Sequence, residues 1–337
     1  MKLKTPKFLL LIIVFLTLFL LNLSFGSVHF QLVDIIDAIL HQSSKNESLE
    51  VILFSFRIPK TITAILAGSS LAIAGLLMQS LFQNPLAGPF VLGISSGASL
   101  GVSACILLSS LYGLTFLKTK GALLLASSMG SLLVFVAILI TANKIKNNTT
   151  LLILGLMFGY ISSGFVSILF YFSKTEELNT FMQWSYGSFS RLTPEYYTLF
   201  ALPILFCLLL SITIAKYLNA FLLGEDYARS LGVNIKKCRL IIVFISALLA
   251  GIVTSFCGPI SFIGVSVPHI VRYIFHTTNH FILLPACMIV GASMAIFADL
   301  VSSLPGTGFT LPLNSVTSII GAPILIWVIL SKKSLKC

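Results

Sequence analysis

Few residues in this chain have both the chemistry and the setting to act. Of 337 residues only 9% are charged, with 21 Lys and Arg against 10 Asp and Glu. There is no GxxxxGK[ST] segment, so the chain carries no phosphate-cradling loop of its own, and it has neither a His/Glu zinc motif nor a nucleophile elbow. Six cysteines, Cys105, Cys207, Cys238, Cys257, Cys287 and Cys337, share no CxxC or metal-ligand spacing and read as small polarizable apolar residues. What remains is a basic pair, Arg57 and Lys60; a polar loop holding Glu225, Ala228, Leu231 and Gly232; a break containing Asn84 and Leu86; His269 and Arg272; and one acid within an apolar run, Asp299. Two cations three residues apart at a helix start suit a carboxylate partner, with rim charges setting on-rate and register, or they snorkel to an interface. His269 reads as structural, and no metal or other cofactor is expected.

These residues sit among ten apolar stretches of about membrane-spanning length: Phe8–Phe25, Ile62–Phe82, Phe90–Tyr112, Gly121–Ala142, Leu151–Phe172, Tyr196–Tyr217, Leu240–Phe256, Ile260–Phe275, Phe281–Ala298 and Leu313–Leu330. The chain is 57% hydrophobic with mean hydropathy +1.04. Soluble proteins carry nearly three times its charge fraction. Continuous apolar runs exclude a barrel, and lipid demands internally satisfied backbone, so the expectation is an all-α membrane protein, a ten-helix bundle forming a single domain over residues 1–337. The first run, after Lys2, Lys4 and Lys7, also resembles a signal peptide, but its length and the lack of a small-x-small site favour a retained span.

A net charge of +11 raises the possibility of nucleic acid, but the cations follow membrane topology instead. With the N-terminus inside, fourteen lie inside (Lys2, Lys4, Lys7, Lys144, Lys146, Lys216, Arg229, Lys236, Lys237, Arg239, Arg272, Lys332, Lys333, Lys336) and seven outside (Lys45, Arg57, Lys60, Lys118, Lys120, Lys174, Arg191). The positive-inside rule favours that orientation, and an even number of spans then puts the C-terminus inside as well. Asp34, Asp37, Glu47, Glu50, Glu176, Glu177 and Glu195 fall outside.

Two segments break the helical pattern, 83–101 and 257–269. Gly88-Pro89 with Gly93-Ile94-Ser95 parallels Gly258-Pro259 with Gly264-Val265-Ser266, one residue being inserted. The assigned topology puts the first break at the inner surface and the second at the outer, the pattern of an inverted internal repeat. Ala64, Ala67, Gly68, Ala72 and Gly75 recur at helical spacing and permit close helix packing. The inside loop, about 216–239, holds a short helical stretch bracketed by Gly224 and Gly232. Ala228 and Leu231 at i, i+3 spacing predict a small apolar knob for a motor subunit, or simply a solvated loop. An ion-driven carrier needs buried ionisable groups near the midplane, and the spans offer almost none, so any transport would take its energy from another subunit.

Six ordered blocks within about residues 50–330 resemble the FecCD-like permeases of bacterial type II ABC importers for ferric siderophores, heme and cobalamin: RIPK at 57–60, GSSLAIAGLLMQSLFQNPLAGPFVLGISSGASLG from 68, GEDYARSLGV at 224–233, GPISFIGVSVPHIVR at 258–272, LLPACMIVGASMAIFAD at 283–299 and GAPILIW at 321–327. The resemblance implies a homodimer in the bacterial cytoplasmic membrane, two cytoplasmic ATPase subunits, an external substrate-binding protein, and no enzymatic activity in this chain. By the same resemblance Arg57 and Lys60 dock the binding protein, Glu225, Ala228, Leu231 and Gly232 couple to the ATPase, and Asn84 and Leu86 form a cytoplasmic gate. Two departures stand out. No basic residue follows Asp299, where Leu300 to Ser303 stand, and Thr310 replaces an acid, which makes that outer surface less charged and leaves Asp299 either ion-paired or capping a helix. The expected function is import of an iron chelate, with heme or cobalamin next. The alternatives are an ion-coupled carrier without an ATPase and a non-transporting scaffold.

Overall fold

A computed structural model describes residues 5–26, 30–41, 47–145, 148–222, 224–303 and 309–330. Its elements in order are α1 (Thr5–Ser24), α2 (Leu32–His41), α3 (Glu47–Ile52), a π-helical turn (Leu53–Arg57), α4 (Ile58–Phe82), a 3-10 turn (Pro89–Leu92), α5 (Ile94–Leu111), a 3-10 turn (Thr115–Lys118), α6 (Lys120–Lys144), α7 (Asn148–Tyr171), α8 (Thr175–Ser185), two 3-10 turns (Phe189–Arg191, Pro194–Tyr196), α9 (Tyr197–Thr213), α10 (Ala215–Phe221), α11 (Glu225–Ser230), α12 (Ile235–Cys257), α13 (Ile263–Phe275), α14 (His280–Ser302) and α15 (Leu313–Leu330). Eight of the helical stretches are long and apolar enough to cross a membrane, and α13 and α15 are shorter apolar helices. These ten coincide with the ten stretches read from hydropathy. Hydrophobic runs set element length in lipid because each helix satisfies its own backbone.

The ten helices alternate in direction, as contacts at their ends require. At one end Lys60 reaches Asp299 and Asn314 N–H donates to Tyr186 O at 2.9 Å. At the other, Lys7 donates to Ile274 O, Asn148 to Leu81 O and Arg239 to Ile145 O. The first end carries α2, α3 and α8, and the second α10 and α11. The described cations divide between these ends as the charge pattern divides them, with Arg57, Lys60, Lys118, Lys120, Lys174 and Arg191 at the α8 end. Lys2, Lys4, Lys45, Lys146, Lys332, Lys333 and Lys336 lie outside the described residues.

The axis of the bundle is α4, buried without interruption from Ala67 to Leu81. Two glycine pairs make that possible. A Cβ on Gly68 would overlap the Gly291 carbonyl of α14, and one on Gly75 would overlap the Gly264 carbonyl of α13. With no hydrophobic driving force between helices in lipid, backbone contact through small residues supplies the packing. The same device joins α5 to α6 at Gly97 and Gly130. A satellite cluster of Leu23, Ile35, Ala38, Leu49 and Leu53 seats α2 and α3 on the end of α1.

The two Gly-Pro breaks enter from opposite ends of the bundle, the first at the α11 end and the second beside Trp184 and Gly187 at the α8 end, as expected of an inverted repeat. The first leaves α4 through Gln83 (φ 45°) and enters α5 through Gly93 (φ 71°). The second leaves α12 through Gly258 (φ 81°) and enters α13 through Phe262 (φ 66°), so the left-handed position at re-entry falls on Phe262 and not on Gly264. Gly264 is instead inside α13, where its missing side chain lets Pro89 and α4 approach. A Cβ on Gly264 would lie 2.7 Å from Pro89 Cδ and one on Gly88 2.6 Å from Val265 Cγ2, so the first break is folded back along α13.

Gly75→Ala should lower the thermal midpoint in detergent, at a cost of about 1–3 kcal/mol or more, because the obstructing atom is backbone and cannot rotate away. Gly164→Ala, where a Cβ meets nothing within 4 Å, is the matched control. Equal midpoints for the two variants would remove the proposed backbone contact.

Candidate functional site

At the α8 end the basic pair is drawn in two directions. Arg57 is 9% exposed. Its guanidinium donates to the carbonyls of Leu23 and Ser24, the latter at 2.9 Å, and stands 4.9 Å from the centre of the Phe30 ring. It thus satisfies carbonyls left open where α1 ends. Lys60 turns to α14, 2.9 Å from Asp299 Oδ1 and 3.1 Å from Ser303 Oγ. Asn22 Nδ2 donates to Asp299 Oδ2 at 3.0 Å and Thr61 Oγ1 to Asn22 Oδ1 at 2.7 Å. Of the two roles left open for Asp299, the ion pair is the one formed. A buried carboxylate needs its charge and its lone pairs met, and both are.

The pair forms part of the wall of a cavity of about 470 Å³, with Ser188, Ser190, Ser302, Ser303 and Thr310 around it. The two positions where charge is absent from the sequence, Ser303 and Thr310, therefore flank Lys60. At the same end of the bundle, Glu177 is buried on α8 and accepts from Lys174 N–H at 2.8 Å. Burial alone raises its pKa, but the Ser110 hydroxyl, the Lys174 N–H and the charges of Lys118 and Lys174 together hold the carboxyl below the usual range.

At the α11 end the segment after α4 is tied down residue by residue. Asn84 Oδ1 accepts from Leu86 N–H at 2.9 Å and so closes an Asx turn that leaves Leu86 half exposed. Pro85 O accepts from His269 Nε2 at 2.7 Å. With its Nε2 engaged and Nδ1 unpartnered, His269 is a structural donor, and among the described residues no group of His, Cys, Asp or Glu could hold a metal. Gln79, fully buried in α4, spans α13: its Nε2 donates to Val265 O at 3.1 Å and its Oε1 accepts from Arg272 at 2.5 Å. Sequence reasoning passed over Gln79. Its signal was a lone amide in an otherwise apolar stretch, which must find partners when buried.

The polar loop forms α11, whose N-cap Gly224 and following Gly232 have φ 99° and 80°. Only the backbone of Glu225 is described. Gly232 N–H donates to Arg229 O and Val233 N–H to Ala228 O, a Schellman stop that needs a residue with positive φ at Gly232. Ala228 and Leu231 differ in exposure. Ala228 is fully buried in the core of the bundle while Leu231, the C-cap residue, is 59% exposed. The exposed apolar knob is Leu231 with Tyr227, 51% exposed. Ala228 is the residue that anchors it. Asn84 and Leu86 stand at this same end, and Arg57 and Lys60 at the other.

Ten apolar helices among the described residues, with charge-lined cavities at one end and an exposed two-residue knob at the other, make a multi-pass membrane protein. Residues 11–331 match the FecCD transport family. The vitamin B12 import system permease protein BtuC of Klebsiella pneumoniae is 34% identical over 286 residues, 84% of each chain, and that of Photorhabdus laumondii 36% identical over 289 residues, 85% of this chain and 83% of the relative. An ABC transporter of the metal-chelate type, solved in an inward-facing conformation, superposes with a TM-score of 0.83 at 26% identity, covering 97% of this chain and 99% of the other. The chain belongs to the FecCD transport family and is a permease subunit of a type II ABC importer, as its sequence blocks imply.

Lys60→Met should destabilise more than Asp299→Asn. The first leaves a carboxylate of 4% exposure without its counter-charge, whereas the second leaves an ammonium of 25% exposure that can hydrate. The expected loss for Lys60→Met is about 1–3 kcal/mol by thermal unfolding, partly restored in the double variant. Additive losses in the double variant would argue that the pair carries no coupling.

Proposed function

We propose that this chain is the membrane conduit of an importer for metal chelates, driven by ATP hydrolysis in a separate subunit. The observation that carries the reading is the knob of Tyr227 and Leu231, two apolar side chains exposed on a six-residue helix outside the spans and locked in place by buried Ala228 and the turn at Gly232. Such a surface fits a groove on a partner better than it fits water. The placement of charge agrees with it. The buried ionised residues among those described, Arg57, Glu177, Arg239, Arg272 and Asp299, sit towards the ends of the bundle, so an ion-coupled carrier would find no carboxylate at mid-span.

The relatives named for vitamin B12 import and the metal-chelate neighbour share one cargo chemistry, a metal ion held in a large organic ligand. An iron chelate is the cargo first proposed, a ferric siderophore or heme. Cobalamin is the second reading, favoured by the identity to the vitamin B12 permeases. In this reading two copies of the chain form the pathway, two ATPases dock at the α11 end in the cytoplasm, and both termini face that side of the bacterial inner membrane. Asn84 and Leu86 narrow the cytoplasmic mouth. Lys60 meets an acidic external binding protein, while Arg57 holds the rim by fixing the end of α1.

Leu231→Asp should leave the protein inserted but release it from a co-expressed ATPase on affinity purification, and normal co-purification would remove the coupling role. In vesicles holding permease, ATPase and binding protein, uptake of a labelled ferric chelate or labelled cobalamin should require ATP and select one cargo. Uptake by the permease alone would overturn the reading. Lys60→Glu should weaken capture of the binding protein, more at low than at high salt.

A further inference from the structure

Two cavities that share no lining residue with the Lys60–Asp299 cavity or with α11 join end to end. The first, about 250 Å³, opens at the α8 end and is lined by Lys118, Lys120 and Arg191, with no carboxylate in its wall. Trp184 and Tyr196 also line it, amphipathic rings of the kind that sit at headgroup level. Arg191 donates to the carbonyls of Trp184, at 2.7 Å, and Gln183, which fixes its charge in place. Lys118 meets Glu176 at 3.4 Å, but that carboxylate is 83% exposed and such a pair is weak. Neither Lys120 nor Arg191 has a carboxylate partner among the described residues.

The second cavity, about 210 Å³, begins where the first ends, since Ser255 and Phe256 line both. It descends along α12 past Ile252, Gly251 and Leu248, with Leu132 and Phe135 of α6 opposite. From Ala247 to Phe256 the groove is about 13 Å long at 1.5 Å per residue, close to half of a hydrocarbon core of about 30 Å. Its open side is lipid-facing: Leu132 is 55% exposed, among exposed Leu125, Met129 and Leu133. At the junction the Ser255 hydroxyl, on a residue 5% exposed, has no hydrogen-bond partner, and neither does Thr193 Oγ1 in the first cavity. An unpaired buried hydroxyl is costly, so both groups call for an acceptor that the protein does not supply.

We propose that this groove seats one phospholipid with an anionic headgroup from the leaflet at the α8 end, its phosphate among Lys118, Lys120 and Arg191, its ester oxygens near the Ser255 hydroxyl, and one acyl chain along α12. The basic mouth selects the headgroup, the apolar floor requires a tail, and the length of the groove matches a single leaflet. The assignment is independent of which cargo the permease carries.

Native mass spectrometry of the full-length protein in detergent, with phosphatidylglycerol and phosphatidylcholine of the same chains, tests this. The wild type should retain phosphatidylglycerol preferentially. Lys118→Gln with Lys120→Gln should cut that preference roughly tenfold or more, the scale of two cationic contacts at a membrane surface. Gly251→Leu fills the floor and should reduce retention of both lipids. A Cβ there lies 3.5 Å from Ile94 Cγ2, an ordinary contact, so the backbone admits a side chain; an unchanged thermal midpoint checks that the variant keeps its fold, and Gly251→Ala, which adds only that atom, serves if it does not. Equal retention of the two lipids by the wild type would overturn the proposal, as would retention indifferent to Gly251→Leu. Displacement of phosphatidylglycerol by inorganic phosphate alone would make this a free-anion site and overturn it equally.

Discussion

Everything in this bundle is arranged around one helix that must touch its neighbours backbone to backbone. Gly68 and Gly75 bring α4 against α14 and α13 at Gly291 and Gly264, with no side chain between. In lipid, burying apolar surface gains nothing over leaving it in acyl chains, so contact distance and interhelical hydrogen bonds carry the association. The close approach is also what lets Gln79 span to Val265 and Arg272, and Ser69 donate to Met288 O at 2.9 Å. Remove the glycines, and the polar ties lose their reach.

The polar ties sort by position. Towards the α8 end, Arg57, Lys60, Asn22, Thr61 and Asp299 join α1, α4 and α14 into one block. Towards the α11 end, Ser80, His280 and Asn219 join α4, α14 and α10, with His280 at 2.7 Å from Ser80 Oγ and 2.9 Å from Asn219 Oδ1. Between them the contacts are those of small and aliphatic residues. Charge is thus concentrated at the two rims, and among the described residues the buried carboxylates, Glu177 and Asp299, both lie towards the α8 end.

The ten spans were legible because hydropathy alone fixes helices in lipid, and the family blocks identified the permease class. The short elements were not. Low hydropathy hid α8, although Lys174 and Glu177 hint at its start. The make-up of the knob was not legible because burial is a tertiary matter: Ala228 packs into the core of the bundle, and only Tyr227 and Leu231 stay exposed. The inward aim of Arg57 depends on where α1 ends, a contact 33 residues away in sequence that no local pattern encodes. The two Gly-Pro breaks were legible as a pair, since both re-enter a helix through a left-handed N-cap. What composition did not show is that this role falls on Gly93 in one and on Phe262 in the other.

The bond from His269 to Pro85 has a mechanical meaning. With Gly88 and Pro89 wedged on Val265 and Gly264, the stretch from Pro85 to Pro89 is clamped along α13 at several points and has no free hinge of its own. α13 is in turn bolted to α4 through Gln79. In the gating role proposed for Asn84 and Leu86, opening would not be the swing of a loose flap; loop and short helix would shift together as one lever against the central helix.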